Sequence, residues 1–94
     1  MPTPAPGNVM GRRVADGTKP WEYAPGDYGI FECHWWGRPP GTPDNGGGCL
    51  VRHDVTEHND GTVTVSPSIL ISSTWAGEPW QWHGYLEAGE WREA

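Results

Sequence analysis

The sequence predicts an all-β fold: a small antiparallel sheet or meander of about four to six short strands, with long Gly/Pro-rich loops and an extended N-terminal arm. Three observations lead there. No stretch places apolar residues at i, i+3, i+4 and i+7 for three turns, so helix is nearly absent. Gly (14) and Pro (10) make up 24 of the 94 residues, which breaks the chain too often for long elements. Between these breaks lie aromatic and β-branched runs, two of which carry turn residues where a hairpin needs them.

The arm is residues 1–27, where MPTPAPGN and ADGTKPWEYAPGD offer no regular element and packing is expected through Trp21 and Tyr23. Residues 28–94 form one small β domain, the default for this length. YGIFECHWW (28–36) reads as a strand in which the adjacent Trp35 and Trp36 point to opposite faces. GRPPGTPDNGGG (37–48) reads as a long loop of the kind that is functional or mobile. CLVRHDVTEH (49–58) and TVTVS (62–66) flank Asn59-Asp60-Gly61 and read as a hairpin with a three-residue loop. That loop sets Val55 opposite Val65 and Glu57 opposite Val63. Val51, Val55, Val63 and Val65 then share one face with His53, while a two-residue loop would mix the faces. SPSILIS (66–72) carries a proline, which marks an edge, a bulge or a bend. SSTWAGEP reads as loop. QWHGYLEAGEW (81–91) reads as a second hairpin turning at Ala88-Gly89, with Leu86 opposite Trp91. Trp80, Trp82 and Leu86 share its inner face, and Gln81, His83, Tyr85 and Glu87 the outer one.

Only 35% of the residues are hydrophobic and mean hydropathy is −0.67, yet the chain has seven Trp. A buried aromatic removes on the order of 150–250 Å² from water, so a few indoles can replace many aliphatic residues. Trp80, Trp82 and Trp91 are therefore expected in the core rather than on a ligand platform. Net charge is −6 and the only basic cluster is Arg12, Arg13 and Lys19, which argues against nucleic acid as a partner. No apolar run reaches membrane length, so no membrane role is expected.

Catalysis is not expected either. Ser66, Ser68, Ser72 and Ser73 supply hydroxyls that Asp54 or His83 could orient, but no nucleophile elbow or carboxylate pair is visible. NGGGC lacks the Lys-Ser/Thr of a phosphate loop. Cys33, Cys49, His53 and His83 are the candidates for a zinc ion, at spacings that fit zinc motifs poorly. A hairpin folded about residue 41 would set Cys33 near Cys49, for a disulfide or a metal. Two free thiols are the plainer reading, and no cofactor is expected.

VTEHNDGTVTVSPSILIS followed by WHGYLEAGEW resembles a group of small proteins of bacteriophages, especially phages of actinobacteria, and of bacterial relatives. The shared pattern is a strand, an acidic-Gly turn, T-x-S-P-S-I, a short loop, then W-H-G-Y-L and a turn ending in Trp. It covers residues 50–93, extends more weakly to 28–36 and does not include the arm. Bacterial relatives look zinc-binding, but here Trp82 stands where a Cys precedes the histidine. Cys33-His34 stands where a two-Cys knuckle would be, so only Cys33 and His83 match ligands. The resemblance implies a phage origin, with the protein in the host cytoplasm during infection or in the virion. Read together, these features predict a non-catalytic module that binds a host or phage protein, or a small ligand, through Trp35, Trp36, Trp75, His83 and Tyr85. A structural or decoration protein of the virion, self-associating or assembled on capsid or tail, is the main alternative, and a small zinc-binding domain the third.

Overall fold

The computed structural model describes residues 7–44 and 46–94. The first six residues of the expected arm and Asn45 of the expected loop lie outside them. The fold is all-β, in two sheets. The first has the order β1-β9-β8-β7-β6, with β1 Val9–Met10, β6 Asp54–Glu57, β7 Val63–Trp75, β8 Glu78–Glu87 and β9 Glu90–Glu93. The second has the order β2-β3-β4-β5, with β2 Arg12–Arg13, β3 Asp27–Phe31, β4 His34–Gly37 and β5 Gly48–Cys49. The nine strands among the described residues exceed the number expected because three of them are only two residues long. All pairs are antiparallel except β2–β3.

Both expected hairpins form in the expected register. Val55 faces Val65 and Glu57 faces Val63 across Asn59-Asp60-Gly61. Asp60 fixes that turn: its Oδ1 accepts from Thr62 Oγ1 (2.6 Å) and Thr62 N (3.0 Å), and these bonds lower its pKa. Leu86 faces Trp91 across Ala88-Gly89, whose φ values of 48° and 79° match the right-handed twist of the strands. The proline run is a bulge, since pairing of β7 with β8 slips between Val65 and Ile69.

Three local expectations are corrected. YGIFECHWW is not one strand but the β3–β4 hairpin, turning at Glu32 (φ 50°) and Cys33 (φ 68°). WAGEP is not loop: Trp75 ends β7, Ala76-Gly77 is a tight turn (φ 53° and 81°), and Glu78 starts β8. Val51 leaves the valine face and is 59% exposed, because the chain turns before β6 and buries Leu50 in its place.

The expected arm supplies a short edge strand to each sheet. β1 pairs with β9, β2 pairs with β3, and Gly11 makes the crossing between them. A Cβ on Gly11 would lie 2.7 Å from Trp91 Nε1 and 2.9 Å from Gly26 O, so only glycine passes there.

The sheets close over Tyr28, Leu50, Val63, Val65, Ile69, Trp82, Leu86 and Trp91, all buried, with Trp80 packed against them. Trp82 and Trp91 meet edge to face, with ring centroids 5.6 Å apart, and Trp91 Nε1 donates to Gly26 O (2.8 Å). The indole-built core expected from composition is therefore present. Gly84 is where a β8 side chain would meet it. A Cβ there would strike Arg92 O, lie 2.6 Å from the Trp82 ring and 2.9 Å from Glu93 Cα. Gly84→Ala is expected to lower stability by about 2 kcal/mol, as overpacking does. Urea unfolding at constant m-value checks it, and a midpoint unchanged from wild type would show that β9 yields freely.

Candidate functional site

Strand pairing sorts the aromatic residues of the second sheet by face. Ile30 faces Trp35 on the inner side, where Trp35 packs on the core beneath the Arg13 guanidinium (5.0 Å to the ring centroid). Gly29 faces Trp36 and Phe31 faces His34 on the outer side, which Cys49 joins opposite Trp36.

Residues 14–23 border and cover this outer side. Val14 N donates to Tyr28 O (2.9 Å) and Gly17 N to Ile30 O (2.8 Å) along the edge of β3. A single 3-10 turn follows, Pro20–Glu22. At three residues per turn, side chains two apart diverge, so Trp21 and Tyr23 cannot both pack inward. Tyr23 is the one buried, at 2% exposure, against Gly29, and burial is the main cause of its raised pKa. Trp21 is left 69% exposed, which corrects the expectation that both rings hold the arm down.

The result is an aromatic cleft. Trp21 and Phe31 meet edge to face at 5.6 Å, and Phe31 and Trp36 at 6.4 Å. Trp36 Nε1 donates to Phe31 O (3.2 Å), which fixes the indole. Pro20, Trp21, Trp36, Asp44 and Gly47 enclose about 240 Å³.

Two walls of the cleft come from the 38–47 segment, which an internal arginine organises. Arg38 is 8% exposed. It donates through Nη1 to Tyr23 O (2.7 Å), through Nη2 to Thr42 O (2.9 Å) and through Nε to Thr42 Oγ1 (3.4 Å). Thr42 Oγ1 in turn donates to Pro39 O (2.7 Å). The expected long loop is thus folded on a buried guanidinium, with the Asp44 carboxylate outside at 3.7 Å from Nη2.

Of the residues expected to bind a partner, Trp36 alone lines this cleft. Trp75 sits at the tip of the β7–β8 ribbon, 45% exposed. His83 and Tyr85 lie on the outer face of the first sheet, 6.4 Å apart, with Arg92 stacked on Tyr85 at 4.3 Å and paired to Glu87 at 2.6 Å. His83 Nε2 lies 3.0 Å from Ser68 Oγ, one of the hydroxyls picked out in the sequence. His53, on the other side of that bulge, reaches Ser68 O with Nε2 at 3.2 Å. The His83–Ser68 pair sits on an open sheet face, and it ties the bulge of β7 to β8.

The zinc candidates are not brought together. Cys49 pairs opposite Trp36, three residues along from Cys33, so the hairpin folds later than residue 41. That offset is about 10 Å, beyond the reach of a disulfide. Both thiols are free and exposed. Among the described residues no group of three His, Cys, Asp or Glu is arranged to hold a metal ion.

Two larger grooves, of about 480 and 360 Å³, run along residues 10–16. The arginines along them are already paired: Arg12 with Asp27 (3.1 Å), and Arg13 with Glu57 (2.6 Å) and Asp16 (3.6 Å). This accounts for the whole basic cluster except Lys19, whose ammonium lies 5.9 Å from the Trp21 ring centroid. Among the described residues no helix is long and apolar enough to cross a membrane.

Trp21 was not a sequence candidate for binding. The signal available was Lys19-Pro20-Trp21, because proline opens a short helical turn and commits the next side chain to one side of it. Compared with protein families, curated proteins and solved structures, the chain has no match.

Proposed function

We propose that this chain is a phage-encoded, non-catalytic module that binds a protein partner through the aromatic cleft of its second sheet. The observation that carries the reading is Trp21, an indole 69% exposed yet held against Phe31 at one wall of a concave site. An ordered indole left in water forgoes the burial that made the other tryptophans useful, and Trp is the residue type most enriched at the centres of interfaces. The cleft is smaller than a typical drug-sized pocket, so it suits one side chain of a partner.

Affinity capture from lysate of a phage-infected actinobacterial host tests this, with wild type, Trp21→Ala and Tyr85→Ala as baits. The expected result is a protein retained by wild type and Tyr85→Ala and bound at least about tenfold more weakly by Trp21→Ala. A protein retained equally by Trp21→Ala, or lost only with Tyr85→Ala, would move the interface to the first sheet and end the proposal.

A second reading, a decoration protein of the virion, is favoured by the β7–β8 ribbon. Residues 61–77 contain no charged side chain in an otherwise acidic chain, and the ribbon exposes Leu70 (58%) and Trp75 (45%). An uncharged strand such as β7 pairs readily with further strands. Mass spectrometry of purified particles decides it: many copies per virion support this reading, and absence removes it.

A further inference from the structure

We infer that the group the cleft receives is an alkylammonium, the side chain of a lysine on the partner protein. This rests on the cleft being the docking site, and it adds the chemistry of the guest. Four observations converge. The walls that bear on a guest are two indoles, Trp21 and Trp36, whose π faces attract cations. Asp44 lines the same cleft with a carboxylate 84% exposed, held by a long 3.7 Å contact to Arg38. Trp21 already draws a cation of its own chain, Lys19, to 5.9 Å, and Lys19 does not line the cleft. The chain carries a net charge of −6, which steers a cationic partner toward it and repels an acidic one.

Other guests fit less well. A sugar ring would stack on an indole but needs several hydrogen-bonding groups around its rim. Here the indole N–H of Trp36 is already donated to Phe31 O, and among the described residues Asp44 supplies the one charged group. An acidic or phosphorylated peptide would face Asp44. A lysine places its four methylenes on the indoles and its ammonium at the carboxylate, so each wall meets the part of the side chain it suits.

The test uses the full chain, labelled with ¹⁵N, and three capped Gly-X-Gly peptides in which X is lysine, Nε-trimethyl-lysine or norleucine. The indole N–H signals of Trp21 and Trp36 are followed. Lysine and trimethyl-lysine are expected to shift both signals, norleucine to bind at least tenfold more weakly, and 0.5 M salt to weaken the two cations but not norleucine. Trp21→Ala is expected to abolish the shift at Trp36, and Asp44→Asn to weaken lysine three- to tenfold. Both side chains are largely exposed, so neither variant should unfold the protein.

If norleucine binds as tightly as lysine, the cleft reads shape alone and the inference is overturned. If no peptide shifts either signal, it is overturned as well. In both cases the capture experiment with Trp21→Ala still decides, independently, whether the cleft is the docking site. Phosphatidylcholine vesicles that shift the signals as strongly as trimethyl-lysine would replace the lysine with a lipid headgroup and overturn the assignment to a protein.

Discussion

Replacing Trp91 with alanine is expected to unfold the protein or leave it barely folded at 25 °C. The ring is 1% exposed and lies where the two sheets meet. Its edge rests on Trp82, its Nε1 holds Gly26 O, and its far corner touches the position of a Cβ on Gly37 at 3.0 Å. Deleting a buried indole costs about 3–5 kcal/mol in transfer and cavity terms. Losing the indole bond to Gly26 O, which still accepts from Arg12 N (3.1 Å), adds roughly 0.5–1.5 kcal/mol. A domain of this size has on the order of 5–10 kcal/mol to lose. Trp91→Phe is the milder variant, because it keeps part of the packing while losing the hydrogen bond outright. It should cost about half as much. Trp75→Ala, at a ring 45% exposed, is the control and should stay within about 1 kcal/mol of wild type. Urea unfolding followed by far-UV circular dichroism measures all three. A Trp91→Ala protein with a wild-type midpoint would mean that the sheets are not held together through this indole.

The hairpins were legible in the sequence because the decisive information was local. Asn59-Asp60-Gly61 fixes the loop length, the loop length fixes the register, and the register puts Val55, Val63 and Val65 on one face. The same logic placed Leu86 opposite Trp91. The misses have equally local causes. Glu32-Cys33 forms a turn normally built from Asn and Gly, with two non-glycine residues at positive φ, so composition gave no cue. Ala76-Gly77 repeats the dipeptide of Ala88-Gly89, but the Ser, Thr and Pro around it read as loop.

The cleft was illegible for a different reason. Its walls come from residues 20–21, 36, 44 and 47, and no spacing rule links a proline-opened turn in the arm to a loop twenty residues later. The link is made by Arg38, which bonds to Tyr23 on one side and Thr42 on the other. In the sequence, Arg38 is the lone cation in a Gly/Pro-rich run, where a solvated side chain is the default expectation.

That arginine sets the second large effect. Arg38→Met is expected to lower stability by about 3 kcal/mol and to loosen the 38–47 segment. Methionine fills a similar volume but donates nothing, so Tyr23 O and Thr42 O are left buried without a partner, at roughly 1–3 kcal/mol each. The loss is partly offset because a charge no longer has to be buried. For a domain of this length that is a fall in Tm of roughly 10–20 °C. Arg38→Lys keeps the charge yet should recover little, since a single ammonium cannot replace a planar fork that serves two carbonyls. The consequence reaches the cleft, whose Asp44 and Gly47 walls stand on the same segment. Amide exchange at Gly46, whose N–H bonds Pro43 O at 2.8 Å, should accelerate at least tenfold in Arg38→Met, and the indole signal of Trp21 should shift without any ligand. Trp91→Phe, destabilised by a comparable amount from inside the core, should leave that signal in place. If both variants disturb Trp21 equally, the cleft depends on global stability. If only Arg38→Met does, the buried guanidinium builds the site.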